Sequence, residues 1–179
     1  MVEITASIIL ILFLVLLVCF LTGIATKTTT TEESEMLYDI IVKYHVKDLK
    51  PIEKIEQGDW IDLRASKDYE LKKGEFALIE LGVSIKIPDY CEAHLAPRSS
   101  TYKNFKVIQT NGVGVIDSSY CGEEDIWKMP VIAMEKTKIL KNERVCQFRL
   151  MEKMPPVRIV EVENMSGESR GGFGITGTN

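Results

Sequence analysis

Residues 111–123 read Asn-Gly-Val-Gly-Val-Ile-Asp-Ser-Ser-Tyr-Cys-Gly-Glu, a stretch whose residue types suit the binding of a nucleoside. Asp117 is predicted at the turn of a tight β-hairpin, where a solvated carboxylate can act as a base. Tyr120 follows three residues later as an aromatic wall, and Gly112 and Gly114 allow the backbone to approach a ligand closely. An ordinary hairpin, with Asp-Ser-Ser as turn formers, explains the same residues equally well. The stretch alone leaves both interpretations open.

Two other stretches carry groups that can bind phosphate. Arg98 offers a planar fork of donors, and Ser99 and Ser100 add hydroxyls where a helical turn is predicted to begin. Gln147, on a predicted alternating strand, can donate its side-chain amide. Taken separately, these residues are more simply explained as a helix N-cap with a surface arginine and as a solvated strand position.

The last residues, 170–177, combine one arginine, one aromatic ring and several glycines. Glycine amides, that of Gly174 among them, can bind oxyanions, Arg170 adds positive charge, and Phe173 can stack on a base. In isolation a terminus without fixed structure is the favoured interpretation of this segment.

Taken together, these stretches resemble the homotrimeric dUTPase family, over residues 36–177. That family has five ordered motifs, and each has a counterpart here. The counterparts are 58–65 (GDWIDLRA), 97–100 (PRSS), 114–117 with 120–123 (GVID and YCGE), 144–147 (RVCQ) and 170–177 (RGGFGITG). Any one motif is weak, but five in order give a specific signal.

The resemblance implies an enzyme that hydrolyses dUTP to dUMP and pyrophosphate, which limits uracil incorporation into DNA and supplies dUMP for dTMP synthesis. Asp117 would orient and deprotonate the water that attacks the α-phosphorus. Tyr120 would lie under the deoxyribose and exclude a 2′-hydroxyl. The uracil edge would be read by Asn111 and by the main chain of residues 112–116, which include Gly112, Val115 and Ile116.

The resemblance also assigns the phosphate-binding groups and the cofactor. Arg98, Ser99, Ser100 and Gln147 would hold the phosphates. Mg²⁺ would bridge the triphosphate, and Asp62 would contact it through a water molecule.

In the family the C-terminal tail crosses to a neighbouring subunit, so that sites are shared within a homotrimer. Arg170 and Thr176 would close on the β- and γ-phosphates, and Phe173 would cover the base. Ile175 stands where the family usually has serine, so one phosphate hydrogen bond is expected to be missing.

Two alternatives remain open at this stage. A dCTP deaminase has the same fold and an Arg-Ser-Ser stretch, but it requires a glutamate on the strand after the hairpin, and Glu135 lies too far along the chain. A non-catalytic protein that senses dUTP on the same scaffold is the other, although Asp117 is retained.

Composition bounds the remaining functional classes. The 179 residues carry a net charge of −4 and no basic block, which argues against binding to nucleic acid. The four cysteines and two histidines show no metal-ligand spacing, so a zinc site is not predicted. Reduced thiols in a cytosolic compartment fit the cysteine pattern better than disulfides.

The elements that must position these residues are predicted to be short strands. From residue 36 onward, strand patterns separated by turn residues, the last of them at residues 157–162, indicate an all-β sandwich, jelly roll or barrel, and the resemblance implies the distorted jelly roll of dUTPases. The predicted division is a membrane anchor at 1–26, a flexible linker at 27–35, the β domain at 36–163 and a mobile glycine-rich arm at 164–179.

The anchor prediction rests on residues 4–26, which contain no charged side chain and are long enough to cross a lipid bilayer as a helix. A signal peptide is the alternative, although the basic segment that it requires is missing. Lys27 and the cytosolic location of dUTP favour a single-pass protein whose catalytic domain faces the cytoplasm.

Overall fold

The computed structural model describes residues 37–169. The predicted anchor, the linker and residues 170–179 of the arm lie outside these residues. The described secondary structure is β1 (Ile41–Tyr44), β2 (Ile61–Arg64), β3 (Tyr69–Leu71), β4 (Phe76–Glu80), β5 (Val83–Lys86), β6 (Cys91–Pro97), α1 (Thr101–Phe105), β7 (Val107–Gln109), β8 (Gly114–Asp117), β9 (Lys128–Ala133), β10 (Thr137–Ile139) and β11 (Arg144–Glu152).

The strands form four antiparallel sheets. A four-stranded sheet has the order β2-β11-β6-β8, and a three-stranded sheet has the order β4-β9-β7. Two strand pairs, β1-β5 and β10-β3, complete the described set. The all-β prediction is confirmed, and so is the single helical turn after the Pro-Arg-Ser-Ser stretch. The predicted division of the chain at residues 36 and 164 stays a prediction.

The core lies where the inward faces of these sheets meet, because apolar and polar residues alternate along the strands. In β6 the buried residues Cys91, Ala93 and Leu95 alternate with partly exposed ones. Trp127 and Phe148, both almost completely buried, pack edge to face with their ring centroids 5.2 Å apart. This pair joins the segment before β9 to the middle of β11.

The stretch 111–123 does not form the tight hairpin predicted for it. Within the described residues, β7 pairs with β9 while β8 pairs with β6, so the two strands belong to different sheets. Buried Gln109 spans the two sheets, because its Nε2 donates to the carbonyl oxygens of Leu95 (3.1 Å) and Asn111 (2.9 Å). β7 and β8 are therefore not paired with each other in a strand ladder.

A second prediction fails at the C-terminal end of the domain. Residues 157–162 were predicted as a strand, but they have no ladder partner in the described chain, and every residue from 152 to 169 is exposed. Alternation alone predicted the strand, whereas a strand also requires a neighbouring edge with which to pair.

Gly82 has a conformation that requires glycine for two reasons. Its φ is +66°, and a Cβ built at this position would lie 2.8 Å from the Cβ of Ser66. Gly74 is a matched comparison, because its φ is +80° but a Cβ there would meet no atom within 4 Å. Alanine at Gly74 thus suffers only the strain of a left-handed backbone, whereas alanine at Gly82 also clashes.

We expect Gly74→Ala to lower the free energy of unfolding by about 1 kcal/mol, the cost of the left-handed conformation. Gly82→Ala should cost clearly more, by roughly a further 1–3 kcal/mol of overpacking. Urea unfolding at one protein concentration measures both values. Equal losses for the two variants would show that the close approach to Ser66 contributes nothing.

Candidate active site

A first cleft lies along the exposed edge of β8 and has a volume of about 320 Å³. We call it the nucleoside cleft. It is lined by Val115, Ile116, Asp117, Tyr120, Ile126, Trp127 and Lys128. The carboxylate of Asp117 is exposed at the end of β8, as a general base requires. Four of the residues assigned from the sequence, at positions 115, 116, 117 and 120, therefore lie together.

The turn after β8 places the aromatic ring relative to the carboxylate. The amide of Tyr120 donates to the carbonyl oxygen of Asp117 at 3.0 Å, and its hydroxyl lies 3.5 Å from the carbonyl oxygen of Ile126. Beyond it, the amide of Gly122 donates to the carboxylate of Asp125 at 2.6 Å. The acidic loop between β8 and β9 thus folds back on itself and forms one wall of the nucleoside cleft.

A second cleft, also of about 320 Å³, lies at the other end of the four-stranded sheet. We call it the phosphate cleft. Its lining residues are Ile55, Gly58, Asp59, Trp60, Asp62, Arg98, Ser99 and Gln147. Three of the four predicted phosphate-binding side chains therefore lie together, next to the predicted acid Asp62.

The Asp62 carboxylate holds two arginines in the phosphate cleft. Its Oδ1 accepts from Nε of Arg98 at 2.7 Å, and its Oδ2 accepts from Nη1 of Arg144 at 3.0 Å. Two guanidinium groups around one carboxylate leave an excess of one positive charge. Because Asp62 and Arg98 are only about one-fifth exposed, solvent screens this charge less than it would at the surface.

The backbone around Arg98 is fixed by a buried threonine. The amide of Arg98 donates to Oγ1 of Thr101 at 2.8 Å, and that hydroxyl donates to the carbonyl oxygen of Val145 at 2.9 Å. Ser100 is at the N-cap of α1 but makes no capping bond with its side chain, and its Oγ is 3.4 Å from Nη1 of Arg98. The segment is therefore held by the hydrogen bonds of Thr101 and not by a side-chain cap from Ser100.

The two clefts are at opposite ends of β6. Asp117 is in register with Glu92 near the beginning of that strand, whereas Arg98 directly follows its last residue, Pro97. At about 3.3 Å per residue, these ends of β6 are roughly 17 Å apart. One copy of residues 37–169 therefore does not bring the predicted base and the predicted phosphate ligands to one site.

Several predicted residues do not contribute to either cleft. Asn111 and Gly112 are exposed in the loop between β7 and β8 and line neither of the two clefts. Arg170, Phe173, Gly174 and Thr176 lie outside the described residues, so their predicted contacts remain predictions.

Other residues of the site were missed from the sequence. Trp127 lines the nucleoside cleft, and its Nε1 is buried without a hydrogen-bond partner in the described chain. Gln109 is buried and bridges the two sheets beside the cleft. The sequence does show a glutamine and a tryptophan within otherwise apolar strand patterns. Their roles could not be predicted from it, because they depend on β7 and β8 belonging to different sheets.

No cluster of three or more acidic, histidine or cysteine side chains in residues 37–169 is arranged to hold a metal ion. Both oxygens of Asp62 already accept from guanidinium groups, so direct coordination by this carboxylate would displace an arginine. Its remaining lone pairs can still accept from water. The residues present fit Mg²⁺ that is carried by a phosphate chain and reaches Asp62 through water, not an ion held by protein ligands.

Cys146 is buried directly beneath this ion cluster. Burial raises the pKa of its thiol far above the ordinary value, and the nearby Asp62 charge raises it further. The thiol is therefore uncharged at neutral pH and does not compete with Asp62 for the arginines.

Comparisons with known proteins agree on one family. A family model described as dUTPase matches residues 59–178. The chain is 55% identical over 139 residues to the SPbeta prophage-derived deoxyuridine 5′-triphosphate nucleotidohydrolase YosS of Bacillus subtilis, an alignment that covers 78% of this chain and 98% of that protein. It is 32% identical over 144 residues to the deoxyuridine 5′-triphosphate nucleotidohydrolase of Neorickettsia sennetsu, with 78% and 95% covered.

Solved structures share the fold at lower identity. A dUTPase variant of Staphylococcus bacteriophage 80alpha with dUpNHpp superposes with a TM-score of 0.66 at 19% identity, covering 78% of this chain and 98% of that one. A dUTPase mutant from phage phi11 of S. aureus, described with a coordinated structural Mg(II) ion, gives 0.61 at 14% identity and covers 72% and 99%.

The predicted localisation, a single-pass membrane protein with its catalytic domain facing the cytoplasm, is wrong. The prophage-derived relative from Bacillus subtilis and the phage 80alpha structure are dUTPases, and this chain covers 98% of each. Neither of these two proteins is described as a membrane protein. Within residues 37–169, no helix is long and apolar enough to cross a bilayer. Residues 4–26, on which the predicted bilayer contact rested, lie outside the described part of the chain.

The arginine fork at position 98 can be tested with inorganic tripolyphosphate. We expect Arg98→Lys to weaken its binding by about tenfold or more, because lysine places all its donors on one nitrogen and lacks the planar fork that pairs with Asp62 on one side and with phosphate on another. Calorimetric titration measures the change, with Arg158→Lys on the exposed arm as the control. Equal affinities for the two variants would contradict a phosphate-binding role for the fork.

Proposed function

The chain belongs to the dUTPase family, and on that premise we propose that it hydrolyses dUTP to dUMP and pyrophosphate with Asp117 as the general base. The observation that carries this proposal is the nucleoside cleft, where an exposed carboxylate and an aromatic ring flank the free edge of β8. Such a slot matches a flat base with a sugar attached to it.

We assign base recognition to main-chain groups. Because β7 and β8 are edge strands of separate sheets, each has one edge whose N–H and C=O groups are not used in a ladder within the described residues. These groups can pair with the edge of uracil, and the main chain of residues 112–116, with Val115 and Ile116 in the cleft wall, is placed to do so. Asn111 is assigned to the same edge. Tyr120 supports the deoxyribose, and its ring leaves no space for a 2′-hydroxyl.

Asp117 accepts a proton from a water molecule, whose oxygen attacks the α-phosphorus. The bond from the α-phosphorus to the oxygen that bridges the α- and β-phosphates then breaks, and its electron pair leaves with pyrophosphate. The products are dUMP and pyrophosphate, and the proton taken by Asp117 returns to solvent. The charge that accumulates on the leaving oxygens requires cationic donors, which the phosphate cleft contains.

The phosphate cleft supplies these donors. Arg98 is held by Asp62 through Nε, whereas its Nη1 makes only long contacts, 3.4 Å to Oγ of Ser100 and 3.5 Å to the carbonyl oxygen of Arg144, which phosphate oxygens can replace. Gln147 lies opposite Asp62 in the register of β11 and β2, with its amide now 3.2 Å from the carbonyl oxygen of Pro97. Ser99 and Ser100 contribute hydroxyl and amide groups. When Mg²⁺ is bound to the triphosphate it neutralises part of the charge, with Asp62 as an acceptor for its water.

We further propose that the site is shared between subunits of a homotrimer. The roughly 17 Å between the ends of β6 separates the two clefts in one copy, so a complete site needs the nucleoside cleft of one copy beside the phosphate cleft of another.

The surface supports such an assembly. The outer side of the three-stranded sheet exposes Phe76, Leu78 and Ile108 at 58%, 48% and 45%, with partly buried Pro130 and Ile132 between them. Cross-strand register places Ile132 opposite both Phe76 and Ile108, so these side chains form one continuous apolar patch. A patch of this kind marks a protein interface, and a second copy of the chain is its proposed partner.

The arm after β11 provides a second contact of this type. Val157, Ile159, Val160 and Val162 are between 56% and 92% exposed and have no ladder partner within residues 37–169. Their β-branched side chains suit an added strand on the edge of a neighbouring subunit. This would carry the tail toward the neighbour's site, where Arg170 and Thr176 are proposed to meet the β- and γ-phosphates and Phe173 and Gly174 to cover the base.

Asp117→Asn should lower the rate of dUTP hydrolysis by about 10²–10⁴-fold, because the amide cannot take the proton from water. Binding of dUpNHpp should persist. Pyrophosphate release from dUTP, dCTP, dTTP and UTP is measured for the full chain with Mg²⁺, and Asp89→Asn, an exposed acid in the turn before β6, serves as the control. Binding without turnover in the unaltered protein would favour the sensor alternative, and ammonia release from dCTP would favour the deaminase.

Mixing two inactive variants tests the shared site. Asp117→Asn and Arg98→Ala remove different halves, so random co-assembly should restore roughly a quarter of the sites. Each variant alone should stay inactive. The two chains are mixed in denaturant at equal amounts, refolded together and assayed for pyrophosphate release. If the mixture is no more active than the sum of its parts, the two halves come from one copy and the shared-site proposal is wrong.

A further inference from the structure

We propose that Glu92 and His94 on β6 are positioning residues for the general base, and that together they set the charge which Asp117 meets across the strand. This inference rests on the proposed function and extends it to two residues outside the five dUTPase-like motifs. It is carried by the register of β6 and β8 and by the contact between the two side chains.

The register places both residues beside the nucleoside cleft. Glu92 is opposite Asp117, and His94 is opposite Val115, so the four side chains project from the same face of the sheet. In an antiparallel pair, the Cβ atoms of opposed residues are about 4.5–5.5 Å apart. Both members of β8 in this set line the cleft. Glu92 is thus the charged residue directly opposite the base in the sheet.

Two carboxylates directly opposite each other on neighbouring strands repel. His94 offsets this repulsion, because its Nε2 lies 2.6 Å from Oε1 of Glu92 and a protonated ring makes the contact an ion pair. The two side chains are 27% and 24% exposed, so the pair is partly shielded from solvent. With the ring charged, the pair presents almost no net charge to Asp117.

Other charged groups face this cluster from neighbouring elements. Lys128 of β9 lines the same cleft as Asp117. Arg149 of β11 is in register with His94, and its guanidinium lies 5.8 Å from the centre of the Trp60 ring. The residue of β11 opposite Glu92 is the uncharged Met151. None of these neighbours changes in the variants below, so their contribution is constant.

The test is the acid limb of the kcat/KM profile for dUTP, where loss of rate reports protonation of the base. Glu92→Gln leaves the histidine charge unbalanced and should move the limb to lower pH by roughly half to one pH unit. His94→Gln leaves the glutamate charge unbalanced and should move it to higher pH by a similar amount. The double variant has neither charge and should return close to the unaltered protein.

Glutamine is close in size to both side chains and can keep a hydrogen bond between positions 92 and 94 without a charge. Because both positions are partly exposed, the fold should tolerate the two substitutions. Glu70→Gln is the control, because it also removes one negative charge from an ion pair, here the surface pair of Glu70 on β3 with Lys138 on β10. This variant should leave the acid limb of the profile unchanged. Shifts of opposite sign that cancel in the double variant support the proposal. If the acid limb does not move, or if both single variants move it in the same direction, the proposal for Glu92 and His94 is wrong. The proposed function still stands in that case, provided that the unaltered protein hydrolyses dUTP. No hydrolysis of dUTP by the unaltered protein would overturn both.

Discussion

The pairing of β6 along both of its edges is the constraint on which the rest of the site depends. On one side it is in register with β11 from Cys91 to Pro97, and on the other with β8 from Glu92 to Leu95. This double pairing fixes where β8 ends and therefore where Asp117 is presented. It also fixes where the chain leaves the sheet toward Arg98. A shift of one residue in either register would turn the catalytic groups to the opposite face of the sheet.

The second organising interaction is the carboxylate of Asp62 between two guanidinium groups. A partly buried pair of this kind adds little to stability, because desolvation offsets much of the attraction. Its value lies in geometry, since it fixes the direction of the arginine fork before a ligand arrives. The cluster keeps an excess positive charge, so the phosphate chain that we propose it binds would meet donors that need little rearrangement. The neutral thiol of Cys146 beneath it leaves this balance undisturbed.

The sequence predicted the fold class, and it also grouped residues that the structure brings together in two clefts. Short alternating segments indicated an all-β domain, and the positions of Asp117, Tyr120, Arg98 and Gln147 in two clefts follow motifs that were readable in order. Strand pairing was not predictable in this way, because alternation identifies strands but not their partners. For this reason the hairpin at 111–123 was wrong, and Gln109 and Trp127 were missed. The strand at 157–162 failed for the same cause.

The open edges of β7 and β8 also bear on aggregation. An edge strand with unused backbone groups is a template on which another chain can add a strand, and proteins usually cover or charge such edges. Here β7 and β8 contain only three and four residues. So short an edge offers only a few backbone hydrogen bonds to a strand of another chain. A flat nucleobase can be bound by that small number of hydrogen bonds. Recognition of a small ligand and resistance to fibril-like association are thus obtained from the same brevity of the two strands.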